Sequence, residues 1–308
     1  MNLFTFSSTP PGAGGGQALM NFSNGTPAGS FAVTDLNFGD LWSPNGLQNN
    51  FGADIFANIN VATTGAYTFN TTSDDGSLLF VDGQLVVNNN FLQGATGRTG
   101  SIVLSAGIHL MEVQYFQDIG GRFLTAPLPS GVTFVNPAQE TDLNIYSSPV
   151  PTTTTFPAVQ PDDTFIGAIP TVNLNYGTLY QGSWFPFGEL VNFVAGMQGY
   201  FLIPSSGSYT FSTSSDDGSW LLIDGSVVVN NDFFQGPTQR SGTVSLTAGY
   251  HPFDLQYFQG NGGAALDLGL PAGVTMSSVA PEPGTLGLLA LAFGVGGLVY
   301  RRAASGRF

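Results

Sequence analysis

SDDGSLLFVDG at Ser73–Gly83 returns 142 residues later as SDDGSWLLIDG at Ser215–Gly225. In both copies an apolar run ends at Asp-Gly and Val-rich sequence follows, the pattern of two strands joined by a tight hairpin turn. Outward from this centre the same spacing holds without a gap. GAYTF at Gly65–Phe69 matches GSYTF at Gly207–Phe211, and AGIHLMEVQYFQ at Ala106–Gln117 matches AGYHPFDLQYFQ at Ala248–Gln259. Gly120 and Gly121 match Gly262 and Gly263, and Pro129 with Gly131–Thr133 matches Pro271 with Gly273–Thr275. Self-similarity on this scale means a duplicated domain. Tyr67 and Phe69 alternate with small polar residues, and the run at His109–Tyr115 alternates too, as half-buried strands do. Turn signals between such runs predict a β-sandwich in each copy.

The 308 residues suit two ordinary domains. Gly (42), Phe (26) and Pro (19), with only 8% charged residues, favour strands and turns, so the body is expected to be all-β. The expected layout is two tandem β-sandwich domains at 1–140 and 164–279, a linker at 141–163, and a tail at 280–308. Within the linker SSPVPTTTTFPAVQPDD (Ser147–Asp163) lacks periodic hydrophobicity and suits an extended connection between separate cores. Cysteine is absent, which excludes disulfides, thiolate metal sites and a cysteine nucleophile. The net charge is −14 with no lysine, and Arg98, Arg122 and Arg240 are the only basic residues before the tail. Such a body repels phosphate backbones, so nucleic acid is excluded as a partner, while cations and neutral polar ligands stay compatible. Solubility alone accounts for the charge equally well.

In the tail, GTLGLLALAFGVGGLVY (Gly284–Tyr300) carries no charge and reaches the length that crosses a bilayer as a helix. Pro281-Glu282-Pro283 precedes it and Arg301-Arg302 follows, which by the positive-inside tendency leaves the arginines in the cytoplasm and the body outside. Uniform hydrophobicity without an amphipathic period argues against a buried core helix.

Asp74 with Asp75, and Asp216 with Asp217, are adjacent carboxylates placed where a strand gives way to Gly. Successive strand side chains point to opposite faces, so aiming both at one point needs an irregular backbone, which the following Gly accommodates. A hard cation such as Ca²⁺, with about 6 to 8 oxygen ligands, would balance each pair. Ser-Asp-Asp-Gly is also an ordinary solvated turn. Asp82 and Asp224 read as hairpin-turn residues, His109 and His251 as structural, and Trp220, standing where the first copy has Leu78, as core. Asn88, Asn89, Asn90 and Phe91, with Asn230, Asn231, Asp232 and Phe233, form polar loops ending in an aromatic; they suit either a ligand mouth or surface decoration.

The order Gly-x-Tyr-x-Phe, Ser-Asp-Asp-Gly-Ser, Ile/Val-Asp-Gly, Ala-Gly-x-His and Tyr-Phe, twice over, resembles the PA14 domain across residues 40–134 and 182–276. That resemblance implies β-sandwich modules of adhesins, glycosidases and toxins, with Asp74, Asp75, Asp216 and Asp217 as Ca²⁺ ligands whose metal binds sugar hydroxyls. In the sugar-binding members an Asn and loop carbonyls complete the metal shell. Here Gln117 or Gln259 stands at the Asn position, with Asp118 and Asn261 in the loops that follow. The tail resembles the PEP-CTERM sorting signal of Gram-negative bacteria, which implies processing by an exosortase near Pro281–Gly284 after transient anchoring in the inner membrane, then release or attachment at the surface polysaccharide. Such proteins also carry an export signal. Met1–Phe6 has neither a basic start nor a long apolar core, so a start further upstream is expected.

The function expected is an exported surface or matrix protein that binds polysaccharide or cell-surface glycan through calcium, two weak sites acting together. A metal-free structural spacer is the alternative. Glycoside hydrolysis needs two carboxyls flanking a scissile bond about 5 Å or more apart, which neighbours aimed at one cation do not provide, so no enzyme activity is expected.

Overall fold

Asp82 and Gly83 adopt φ of 51° and 72°, and Asp224 and Gly225 adopt 52° and 75°, the two successive positive values of a type I′ hairpin turn. These turns organise a computed structural model that describes residues 1–278 apart from 34, 41, 136–140, 149–162, 173, 177–186 and 189–190. In the first module the strands are β1 (Asn2–Thr5), β2 (Thr26–Ser30), β3 (Asn37–Asp40), β4 (Phe51–Val61), β5 (Gly65–Asp74) and β6 (Gly76–Val81). They continue as β7 (Gln84–Asn89), β8 (Thr96–Leu104), β9 (Gly107–Gln117), β10 (Phe123–Thr125) and β11 (Val132–Phe134). The second module has β12 (Thr141–Ser147), β13 (Thr164–Thr171), β14 (Phe193–Ile203), β15 (Gly207–Asp216) and β16 (Gly218–Ile223). It ends with β17 (Ser226–Asn231), β18 (Thr238–Leu246), β19 (Gly249–Gln259), β20 (Ala265–Gly269) and β21 (Thr275–Ser277). The described elements are thus all-β, with one 3-10 turn at Pro44–Gly46.

Each module is a sandwich of two antiparallel sheets. The larger sheets run β2-β1-β4-β9-β6-β7 and β13-β12-β14-β19-β16-β17, with β11 and β21 pairing onto β4 and β14. The smaller sheets run β3-β10-β5-β8 and β18-β15-β20. In the first module Leu79, Val81, Met111, Val113 and Tyr115 of the large sheet pack against Tyr67, Phe69, Leu104 and Leu124 of the small one. Leu221, Ile223, Leu255 and Tyr257 meet Phe211, Leu246 and Leu268 in the same way in the second.

Two expectations are corrected. Thr141–Ser147, expected in the linker, is strand β12, and its pairing Asn144↔Gly196 repeats the first module's Asn2↔Asp54 at the same spacing of 142. The duplication therefore reaches the first strand of each module, where Leu3 and Phe4 answer to Ile145 and Tyr146 without identity that a motif search would catch.

Nor are the cores separate. Phe4, Met20, Phe22, Phe56, Leu78, Phe80, Leu110 and Phe116, on the outer face of the first module's large sheet, join the second module's core in one buried cluster. The Phe187 ring stands 5.6 Å from Phe4 and 5.8 Å from Phe56. Polar groups register the joint: Asn2 Nδ2 donates to the Ala168 carbonyl and Ala168 N–H to Asn2 Oδ1, both at 2.9 Å, and Asn58 Nδ2 donates to Pro170. The physical reason is the run of Phe56, Leu78, Phe80, Leu110 and Phe116 on the outer face of β4, β6 and β9, which exposed would form a large hydrophobic patch.

Among the described residues no helix is long and apolar enough to cross a membrane. The expected helix at 284–300 and the rest of the 280–308 tail lie outside the described residues.

Candidate functional site

Three loops of each module meet at the second aspartate of the acidic pair. Asp75 Oδ1 accepts from the Gln93 N–H at 3.3 Å and Oδ2 from the Asp118 N–H at 2.9 Å. Asp217 repeats this with Gln235 N–H at 3.0 Å and Gly260 N–H at 2.9 Å. The β5–β6 turn is thereby tied to the β7–β8 loop and to the β9–β10 loop, and likewise in the second module. The backbone is irregular where the sequence requires it, the Asp74–Asp75 and Asp216–Asp217 peptide bonds being cis. Below the pair, the Tyr115 hydroxyl lies 2.6 Å from the Asp74 carbonyl oxygen and 2.8 Å from Gln117 Oε1. Gly121 backs onto Asp74 so closely that a Cβ there would stand 2.4 Å from its Oδ2.

Charge is held here at a cost. Burial pushes the Asp74 carboxyl up, with Asp40 adding to it, and burial likewise raises Asp75 against the opposing pull of its two N–H donors. Burial together with the neighbouring Asp217 pushes Asp216 up to about 6. Among the described residues no ion pair joins an arginine to either acidic pair.

The β7–β8 loop is held from inside. Asn89 and Asn231 are fully buried. Asn89 Nδ2 donates to Ser73 Oγ and the Thr96 carbonyl, while Arg98 Nε and Gln93 Nε2 donate to its Oδ1. Asn231, with Ser215, Thr238, Arg240 and Gln235, repeats all four contacts. The guanidinium of Arg98 sits 4.4 Å over the Phe91 ring and that of Arg240 4.3 Å over Phe233. Asn89 and Asn231 therefore build the loop instead of facing a ligand, and Asn90 is buried as well. Asn88 and Phe91 are partly covered, whereas Asn230 and Phe233 are exposed and Asp232 lies between the two. Gln93, Gln235, Arg98 and Arg240 were not singled out in the sequence, although all four recur at the 142-residue spacing.

Gln117 and Gln259, expected as metal ligands, lie inside the fold. Both are fully buried, and each amide oxygen faces a tyrosine hydroxyl at 2.8 Å. Gln259 Nε2 donates to the Gly263 carbonyl, which fixes its amide in that orientation. Asp118 and Asn261 lie in the loops beside the pairs but at positions that are not equivalent, Asp118 answering to Gly260 and Asn261 to Ile119. Trp220, expected in the core, is only half-buried, because its face of β16 is the outer face that in the first module packs Leu78 into the joint. His109 is structural as expected: its Nδ1 lies 2.6 Å from Asp82 Oδ2 and its Nε2 3.0 Å from the Ser105 carbonyl.

The donor set at each pair is oxygen alone, which fits a hard cation. Among the described residues no three His, Cys, Asp or Glu side chains converge as a metal cage. Asp74 with Asp75 and Asp216 with Asp217 would hold the ion, each carboxylate keeping acceptor capacity beyond its N–H bonds, and loop oxygens and water would complete the shell.

The profile of the PA14 domain matches residues 19–136 and 185–283, together more than two thirds of the chain. No curated protein matches the sequence. Among solved structures, the PA14 domain of the MpAFP antifreeze protein is similar at 16% identity and a TM-score of 0.38, covering 46% of this chain and 93% of that one. The Epithelial Adhesin 6 A domain from Candida glabrata, in complex with Galb1-3GlcNAc, is similar at 16% identity and a TM-score of 0.32, covering 51% of this chain and 95% of that one. An anti-sigma factor domain-containing protein from Clostridium clariflavum is similar at 17% identity and a TM-score of 0.35, covering 90% and 97%. The two matched stretches fall one in each sandwich, beginning after β1 in the first and after β13 in the second, and carry the acidic pairs; the chain belongs to the PA14 domain family, with two copies in tandem.

Proposed function

We propose that this is an exported surface or matrix protein that binds polysaccharide or cell-surface glycan through calcium held at its two acidic pairs. One observation carries the reading: in each module adjacent carboxylates are fixed at the meeting of three loops, with raised proton affinity and no basic partner among the described residues. A divalent ion relieves that electrostatic cost. Bound calcium offers open coordination positions to vicinal hydroxyl oxygens. The protein's own part is to hold the carboxylates in place through backbone N–H groups and to shape the loops around them. The role is binding and not catalysis, since adjacent residues anchored to one loop junction do not flank a scissile bond.

Export rests on the tail. Its likeness to the PEP-CTERM signal supports anchoring in the inner membrane of a Gram-negative bacterium, exosortase processing and delivery to the cell surface or extracellular matrix. Retention on immobilised neutral polysaccharide tests the binding role: chelation by EDTA, or Asp74→Ala combined with Asp216→Ala, is expected to abolish it, and retention unaffected by either treatment rejects the proposal.

A specific observation favours a second reading, a metal-free spacer of the matrix. The amide oxygens of Gln117 and Gln259 are committed to tyrosines inside the fold, which leaves each pair short of a side-chain ligand. Calorimetric titration with Ca²⁺ separates the two, because no heat and no rise in melting temperature would leave only the spacer.

A further inference from the structure

The two β7–β8 loops have nearly the same internal wiring, yet their outer surfaces differ. In the first module the chain's own Gly12–Gln17 segment lies on the loop. Gly16 N–H donates to the Asn90 carbonyl and Gly14 N–H to Asn90 Oδ1, at 2.6 and 2.7 Å. Asn90 Nδ2 donates to the carbonyls of Gly12 and Gln17, and Asn88 Nδ2 to that of Gly16. The fit needs glycine: Gly14 and Gly16 have φ of 78° and 70°, and a Cβ on Gly16 would stand 2.8 Å from the Phe91 ring.

At the 142-residue spacing the cover's Gly12, Gly14 and Gly16 have no glycine counterparts, Thr154, Phe156 and Ala158 standing there. No glycine occurs between Gly131 and Gly167. Asp232 replaces Asn90, and an ionised carboxylate has no N–H to give to the two carbonyls that Asn90 holds. Where Asn90 Oδ1 receives the Gly14 N–H, Asp232 Oδ1 is buried without a partner, although the residue as a whole is only partly covered. Phe233 is 48% exposed where Phe91 is partly covered, while the next position is exposed in both modules, as Leu92 (57%) in the first and Phe234 (61%) in the second. Phe234 stands over the acidic site, since a Cβ on Gly260 would lie 3.2 Å from its ring and 3.3 Å from Asp217 Oδ2.

We propose that the carbohydrate site is open only in the second module, where Asn230, Asp232, Phe233 and Phe234 extend it beyond the acidic pair, and that Gly12–Gln17 closes the equivalent mouth of the first. This deepens the carbohydrate reading above and rests on it. The occupant is a neutral saccharide. Exposed aromatic faces beside acceptor side chains match a sugar ring, which offers an apolar C–H face and a rim of hydroxyl donors.

The test is calorimetric titration of the full chain, in calcium, with gluco-, galacto- and manno-oligosaccharides. The expected result is one equivalent of the sugar that binds, an affinity lowered about tenfold or more by Phe234→Ala, and no change with Leu92→Ala. Asn90→Asp, which removes the donors that hold the cover, is expected to raise the stoichiometry to two, with faster amide exchange at residues 12–17. Two equivalents in the wild type, or an affinity that responds to Leu92→Ala and not to Phe234→Ala, overturns the asymmetry while leaving the carbohydrate reading intact. Faster exchange at 12–17 with no second equivalent also overturns it. Absence of heat with every sugar overturns the carbohydrate reading and this inference with it.

Discussion

The Tyr115 hydroxyl pins the carbonyl of Asp74 from beneath, and Tyr257 pins Asp216 identically, so the floor of each acidic site is one buried phenol. Tyr115→Phe or Tyr257→Phe strands that carbonyl without its donor, at a cost of about 1–3 kcal/mol for an unsatisfied buried group. Urea titration is expected to show a lower midpoint for each variant, and a smaller stabilisation by Ca²⁺ as the turn loosens. An unchanged midpoint would mean that the Asp74 carbonyl needs no phenol.

Asp82 carries two duties at its hairpin. Its Oδ1 accepts the Leu110 N–H at 3.0 Å, its Oδ2 meets His109, and its φ of 51° lies where few non-glycine residues settle. Asp82→Ala removes both contacts and keeps the unfavourable backbone, so a loss of about 2 kcal/mol or more is expected. Asp82→Asn keeps an acceptor and tolerates positive φ, so its loss should be clearly smaller. Equal losses in chemical denaturation would refute this account of the turn.

The hairpins, the sandwich halves and the acidic pairs were legible because each rests on a local signal: Asp-Gly for a turn, alternation for a strand, adjacent aspartates before Gly for an irregular bend. The misread parts depend on partners far along the chain. Nothing in Thr141–Ser147 declares a strand until its pairing with β14 is seen, and Leu78 or Phe116 looks like ordinary core although both belong to the buried cluster that the second module shares. Gln117 sits at a ligand position in the motif, but a tyrosine two residues earlier on the same strand face claims its oxygen. Asn89 read as a loop asparagine, whereas Arg98 and Gln93 converge on it across the loop it closes.

The joint between modules makes a prediction about cooperativity. Phe4 is fully buried, its ring 5.5 Å from Phe22 and 5.6 Å from Phe187, so it belongs to both modules at once. Phe4→Ala is expected to cost about 3–5 kcal/mol, the usual range for a large buried ring. Scanning calorimetry of the wild type should show one transition, and the variant should either shift it whole or split it. Two well-separated transitions in the wild type would mean that the shared cluster couples the modules only weakly.

Asp54 sets the pH dependence of that joint. It is fully buried on β4, one diagonal step from Glu112 on β9, and burial first, then the Glu112 charge, raises its carboxyl well above the usual carboxylate range. The folded protein therefore holds a proton that the unfolded chain releases near pH 4. Stability from this group is fully present below that pH, falls as pH rises toward the folded-state value, and is flat above it. Asp54→Asn carries no such charge. Its melting temperature relative to wild type is expected to sit near zero difference at pH 4 and to become increasingly favourable as pH rises to neutrality. Melting curves across that range decide the matter: a difference that stays constant with pH would show that Asp54 does not titrate with folding, and one that shrinks as pH rises would reverse the sign of the argument.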